Sequence, residues 1–332
     1  MTTTTTPRVA VLGAGKLGGA ITALLARAGA EVSVWARRAQ ASQALADSLG
    51  VSSLPDSSPR GRVSVAPTIA DACRGAQLLC FAVPVDGLRE VARAAGEVTT
   101  GDQVGLHACR GVETGFVLPS EVIRAETCLK KIGALGGPLY LDDAAHGRPL
   151  VAAVGARFDE VFRMVRALTT GTRVRAHTTH DLVGVELCGA ISNVAQVAAG
   201  LAEGAGLGET DQGMLLVRGL AEAALLGQTQ GAEPATFLGI AGVGDLIPRQ
   251  VTSTRRNRHL GREIGAGMAA ATALAAHASL EGPVTAREAR TLGDRLDLKL
   301  PLVQAVDDVL WRGAAPGEAL ERVLALDLSL SF

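Results

Sequence analysis

The sequence predicts an α/β protein in two parts: a doubly wound, mainly parallel sheet over residues 8–180, then an all-α domain over residues 181–332. Two observations carry this. Up to about His180, short strand-like runs alternate with helical stretches, as helices winding over a parallel sheet require. Beyond it, long Ala- and Leu-rich segments follow one another with few β-branched runs. A chain of 332 residues also suggests two domains.

In order, strands are expected at 8–12, 31–35, 63–66, 76–83, 104–109, 131–135, 150–154 and 172–176. The run 76–83 is almost continuously apolar, as a strand buried on both faces must be. Helices are expected at 19–27, after the second strand through about 49, at 69–73 and at about 159–168. In the second half they fall at 181–203, 210–230, 258–277, 283–296, 301–311 and 316–324. Residues 51–61 read as a polar loop, and residues 1–7, threonine-rich and without an apolar run, as a disordered tail rather than a secretory signal.

The charge balance is even, with 32 Lys+Arg against 33 Asp+Glu. No long-range field favours nucleic acid or an anionic surface, so the expected partner is a small molecule. No uninterrupted apolar run is long enough to span a bilayer, and no membrane insertion is expected. The five cysteines form no C-x-x-C pair and read as free, buried thiols. A cytoplasmic location is the expectation. No metal site is expected.

Gly13-x-Gly15-x-x-Gly18 lies between the first strand and the first helix, with Lys16 and Leu17 inside it. In that context the spacing is the dinucleotide-binding fingerprint of a Rossmann-type domain. Gly13 allows the tight turn, Gly15 lets a pyrophosphate approach the backbone, and Gly18 lets the helix pack on the strand. The end of the second strand, Trp35-Ala36-Arg37-Arg38, has no acid to hold an adenosine ribose. Two arginines there suit a 2′-phosphate, which favours NADP(H) while leaving NAD(H) open.

The stretch "ELCGAISNVAQVAAG", residues 186–200, is apolar and small except for Glu186, Ser192, Asn193 and Gln196. At helical spacing, Glu186, Gly189, Asn193, Gln196 and Gly200 share roughly one face. Buried polar groups need partners, so this face must look at something polar.

Further matches extend along the chain: Phe81-Ala-Val-Pro84, Arg110-Gly-Val-Glu113-x-Gly115, Asp181 to Leu187, Gly206-Leu-Gly208, Arg218-Gly-Leu-Ala-Glu222, Ala241 to Ile247, Arg256-Asn-Arg258 and Glu281-Gly282. With them, the chain from about Arg8 to Arg312 resembles the NAD(P)-dependent glycerol-3-phosphate dehydrogenases. The resemblance implies a dinucleotide domain, a helical substrate domain and a site in the cleft between them. It assigns Val83, Pro84, Arg256 and Glu281 to the cofactor. Gly137, Asn193, Arg256 and Asn257 go to the substrate, and Asp245 to the catalytic set.

The departures are as informative. Where the family has the lysine that protonates the substrate oxygen, this chain has Ser192. A second family lysine is Arg110, Thr210 and Gln212 replace Asn and Lys, and Pro248-Arg249-Gln250 follows Asp245. The four lysines, Lys16, Lys130, Lys131 and Lys299, all lie off the substrate motifs. Serine is a poor general acid, and arginine does not give up its proton. His107, ahead of Arg110, is the first candidate for the missing acid, ahead of His177 and His180.

Two expectations follow. The chain is either a weak or retuned oxidoreductase acting on dihydroxyacetone phosphate or a related small carbonyl compound, or an NADP(H)-binding pseudoenzyme with a regulatory protein partner. A homodimer is compatible with both.

Overall fold

The structure is a computed structural model that describes residues 7–38, 40–41, 43–45, 62–139, 148–247 and 256–327. The tail, the polar loop at 51–61, the end of the helix expected up to about 49, and Pro248-Arg249-Gln250 fall outside the described residues. The chain divides into two compact units: residues up to Cys109 with Pro119–Leu182, and Arg110–Leu118 with Val183 onward. The nine residues from Arg110 to Leu118 thus leave the first half of the sequence to join the helical unit.

Unit 1 holds β1 (Arg8–Leu12), α1 (Lys16–Arg27), β2 (Glu31–Trp35), β3 (Val63–Val65), α2 (Ile69–Cys73), β4 (Leu78–Phe81), α3 (Val85–Gly96), β5 (Val104–His107), α4 (Pro119–Glu126), β6 (Lys131–Gly136), β7 (Leu150–Ala156), α5 (Asp159–Thr169) and β8 (Val174–Thr179). The sheet order is β3-β2-β1-β4-β5-β6-β7-β8. Strand order reverses at β1, as in a doubly wound Rossmann-type sheet. Helices α3 and α4 are additions to the expected set. Their apolar residues, Leu88, Val91 and Ala92 on one and Val122 and Ile123 on the other, are buried.

The sheet is parallel but for one pair: β6 and β7 run antiparallel, Gly136 opposite Ala153 and Gly133 opposite Ala156. A strand buried on both faces looks the same read in either direction, so its apolar pattern carries no polarity. The core of unit 1 is aliphatic, with Val9, Val11, Val32, Val34, Leu78, Val104, Leu106 and Val154 packed against Val161, Val165 and Leu168.

Unit 2 is helical: α6 (Leu182–Gly204), α7 (Glu209–Thr229), α8 (Pro234–Leu238), α9 (Val243–Leu246), α10 (Arg256–Gly265), α11 (Ala270–Ala276), α12 (Glu281–Arg295), α13 (Pro301–Trp311) and α14 (Pro316–Leu324). The single helix expected at 258–277 is two, because Gly267 takes φ +102° between them. By length and composition α6 could cross a membrane, yet 94% of its most apolar window is buried inside the protein. It is the core helix of unit 2. Gly200 and Gly204 on α6 face Gly261 and Gly265 on α10, and a Cβ at any of the four would collide with backbone of the other helix. Glycine is what lets the two backbones touch.

The Arg218-to-Glu222 stretch does structural work. Arg218 donates to the Leu326 carbonyl at 2.6 Å. Buried Glu222 accepts the Leu302 and Val303 backbone N–H groups at 2.7 and 2.9 Å, capping the start of α13. Burial pushes its carboxyl up to about 7, against the pull of those two N–H groups and Arg218. A folded value above the unfolded one means stability that is full below about pH 4.5 and lost as pH rises through about 7. Urea unfolding from pH 5 to pH 8 should therefore show wild type losing on the order of 1–3 kcal/mol relative to Glu222→Gln. Parallel pH profiles for the two proteins would show that Glu222 is already ionised when folded at pH 5.

Candidate functional site

In unit 1 the glycine loop is built as its spacing requires. Gly13 has φ +122°, and a Cβ on it would strike the Ala82 carbonyl. Its N–H donates to the Trp35 carbonyl at 2.8 Å, tying the loop to the end of β2. A Cβ at Gly18 would strike the Gly13 carbonyl, whereas Gly15 faces open space with nothing within 4 Å. Gly15 is also the N-cap of α1, with no side chain capping the helix. Lys16 and Leu17 are the first two residues of that helix. Free helix N–H groups beside an open glycine are a cradle for a phosphate group. The residues present fit a dinucleotide.

Around this cradle, Pro84 is the N-cap of α3. The Cys109 thiol donates to the Val83 carbonyl at 3.2 Å and fixes the β4–α3 turn. Arg37 lies over Gly87 and stands 3.6 Å from Glu90, both side chains well exposed. Such a pair is weak. Arg38 is exposed. Gly137, φ +79°, turns the chain after β6.

Two polar residues of α6, Ser192 and Asn193, find partners in unit 2. The Arg110 guanidinium bonds both carboxylate oxygens of Asp245, Nη1 to Oδ1 at 3.4 Å and Nη2 to Oδ2 more closely. The Ser192 hydroxyl donates to Asp245 Oδ2 at 3.2 Å. Asn193 Nδ2 donates to the Arg110 carbonyl at 2.6 Å. Asp245 is fully buried, so its charge demands this neutralisation. Gly189, one turn before Asn193, faces the Arg110 stem.

Arg110 is delivered by the turn that follows it. Glu113 and Val117 form a bridge, Gly115 takes φ +86°, and its N–H donates to Glu288 on α12 at 2.8 Å. Gly111 packs on the Glu281 side chain and on Thr285. This places Glu281 beside the Arg110 turn. A Cβ at Gly282 would come within 2.5 Å of Asn257 Oδ1. Asn257 Oδ1, Thr285 Oγ1 and both amide atoms of Gln196 are buried without a hydrogen-bond partner among the described residues. Buried polar atoms are usually paired, so this unmet capacity marks where a ligand or water belongs. Thr285 carried no sequence signal; it stands out only through its burial next to Gly111.

Ser192, Arg110, Asp245 and Asn193 are thus joined in one cluster, with Asn257 and Glu281 packed near by through Gly282 and Gly111. Arg256 opens α10 and is exposed. His107 belongs to unit 1, where it ends β5 between Phe81 and Ala134, 1% exposed. His180 is an exposed residue 3.4 Å from Asp159. Lys131 donates to the Asp102 carbonyl at 2.8 Å in unit 1. Gln212 accepts from Arg258 at 2.6 Å, and Arg258 also bonds Glu203 at 2.8 Å. None of the five cysteines is in a disulfide; four are buried and Cys128 is exposed. Burial pushes the Cys73 and Cys80 thiols up to about 12. Neither offers a nucleophile at neutral pH.

A dinucleotide-type α/β unit whose chain continues into a helical unit with a buried polar centre defines a class of two-part proteins. Within that class, residues 8–160 match the N-terminal model, and residues 181–321 the C-terminal model, of NAD-dependent glycerol-3-phosphate dehydrogenase. The chain belongs to that family. It is 35% identical over 330 residues to the glycerol-3-phosphate dehydrogenase (NAD(P)+) of Nocardia farcinica, covering 96% of this chain and 97% of that one. With the Streptomyces griseus protein of the same name it shares 33% over 328 residues, 96% of each. Among solved structures, the glycerol-3-phosphate dehydrogenase of Coxiella burnetii superposes with a TM-score of 0.85 at 25% identity, over 97% of this chain and 99% of that chain. The Plasmodium falciparum glycerol-3-phosphate dehydrogenase, at 18% identity and a TM-score of 0.82 over 98% and 96%, shares the fold.

Proposed function

We propose that this protein is a slow NADP(H)-dependent oxidoreductase that reduces dihydroxyacetone phosphate or a closely related small phosphorylated carbonyl compound. The observation that carries the reading is the Arg110–Asp245–Ser192 cluster, built on the motif positions of the family but without a lysine. A bound nicotinamide dinucleotide supplies the hydride. The chain must bind the phosphate, orient the carbonyl and deliver a proton to its oxygen.

Binding and orientation are supported. Arg256 and Asn257 occupy the first turn of α10, where the helix N-terminus favours an anion. Asn257 and Thr285 have hydrogen-bonding capacity to spare. Asn193 grips the Arg110 backbone and so fixes the turn that carries the guanidinium.

Proton delivery is the weak step. The Ser192 hydroxyl already donates to Asp245, and Arg110 is a permanent cation that cannot act as an acid. The guanidinium can still stabilise an oxyanion, but its pairing with Asp245 makes the unit neutral and lessens that field. The same closed pair favours a second reading, in which the protein binds NADP(H) without turnover and acts on a protein partner.

Arg37 and Arg38 support NADP(H) over NAD(H). Among the described residues Arg37 is held only by an exposed pair with Glu90, which leaves it to a 2′-phosphate. Calorimetric titration should find NADPH bound about tenfold or more tighter than NADH, a difference of ~1.4 kcal/mol or more. Arg37→Ala with Arg38→Ala should erase that difference, and equal affinities in wild type would show that neither arginine reads the phosphate.

Wild type should reduce dihydroxyacetone phosphate at least ~10²-fold more slowly than the ~10 s⁻¹ of an ordinary enzyme. Ser192→Lys with Arg110→Lys should raise that rate at least ~tenfold. Both changes are needed, because the Arg110 fork occupies both Asp245 oxygens, whereas a lysine there is a point charge that leaves an oxygen for a second ammonium. The Asn193 bond survives, since it is made to backbone. A double variant that folds and binds NADPH yet gains nothing would argue for the non-catalytic reading.

A further inference from the structure

Away from the Asp245 cluster, unit 2 brings together two histidines and a glutamate. His259 and Glu263 are one turn apart on α10, with Nε2 and Oε1 at 3.4 Å. His277 closes α11, its Nε2 at 2.7 Å from Glu263 Oε2. The turn at Gly267 folds α11 back so that the two imidazoles stand 5.6 Å apart at 89°. Their ligand atoms all lie within 4.8 Å of one another. His277 is held in place by its own N–H, which donates to the Ala273 and Leu274 carbonyls. His259 is 42% exposed, which leaves one side of the cluster open to solvent.

We propose that His259, Glu263 and His277 form a binding site for a divalent first-row transition cation of the zinc or cobalt type. Two imidazoles and one carboxylate are the donor set such ions take, with a water completing the shell. Ligand distances of about 2.0–2.2 Å require only that the three side chains turn inward by less than an ångström or two. The bound ion ties α10 to α11. Because α10 begins with Arg256 and Asn257, the clamp also steadies the helix offered to the substrate phosphate.

The competitor is a neighbouring cation. The Arg262 guanidinium donates to His259 Nδ1 at 2.8 Å. A guanidinium only donates, so Nδ1 accepts and the ring proton sits on Nε2, facing Glu263. An ion taking Nε2 moves that proton to Nδ1 and turns Arg262 away. Arg262 has a ready alternative in Glu203, already 3.5 Å from its Nη1. Glu203 also serves Arg258, and these two arginines hold its carboxyl below the usual carboxylate range despite its partial burial. Arg262 therefore weakens the site without abolishing it, and removing it strengthens binding.

Cobalt(II) titration of the full, untagged chain, read by visible absorption and by calorimetry, tests this. Cys128→Ser serves as the background, since Cys128 is the exposed thiol. The expected result is one ion per chain with an absorption band of a low-coordinate site. His277→Gln and Glu263→Gln should each weaken binding about tenfold or more, and Arg262→Gln should strengthen it several-fold. Zinc should raise the thermal midpoint of wild type but not of His277→Gln, and circular dichroism without metal shows whether each variant is folded. No stoichiometric binding, or binding unchanged by all three substitutions, overturns the proposal. Arg262→Gln needs no ligand removed, so it decides the matter even where a ligand variant does not fold.

Discussion

A carboxylate with no exposed surface sets the terms for the centre of unit 2. Asp245 sits on a four-residue helix, and an unpaired charge there would cost several kcal/mol. Everything around it answers that cost. Arg110 supplies the counter-charge and reaches it because nine residues leave unit 1 to join unit 2. Ser192 adds a hydrogen bond, Asn193 holds the Arg110 backbone, and Gly111 provides room beside Glu281. The carboxylate is met by a guanidinium and a hydroxyl together. The consequence for electrostatics is direct: the buried charge is balanced.

The scaffold that holds this centre relies on contacts that aliphatic packing alone does not give. Paired glycines on α6 and α10 bring those backbones together, so α10 and its Asn257 are located relative to Ser192 and Asn193 by helix–helix contact. Glu222 caps α13 from the middle of α7. Unit 1 shapes its glycine loop by a similar economy: Gly13 against Ala82, Gly18 against Gly13, and Gly15 left open.

What was legible in the sequence follows from the range of the interactions involved. The dinucleotide loop could be read because its three glycines act within six residues. Strands β1 and β2 appear with their expected bounds for the same reason, since local alternation decides them. The direction of β7 could not be read, because a strand apolar on both faces carries no polarity. The break at Gly267 was hidden in a run of helix-forming residues. The Arg110–Asp245 pair spans 135 residues, and nothing local announces it. The cluster of His259, Glu263 and His277 needs the Gly267 turn before its members meet. The Arg218-to-Glu222 stretch shows the converse: it marked the family clearly, yet its two charged residues serve the fold.

Arg110 and Asp245 act as one neutral unit. A double-mutant cycle on stability tests this most directly, using Arg110→Met, Asp245→Asn and the pair together, unfolded in urea at neutral pH. Arg110→Met alone leaves a buried, uncompensated carboxylate and should cost about 3–5 kcal/mol. Adding Asp245→Asn should restore most of that loss, giving a coupling energy of about 2 kcal/mol or more. Additive effects, with coupling near zero, would mean that the two side chains do not depend on each other and that the account of this site is wrong.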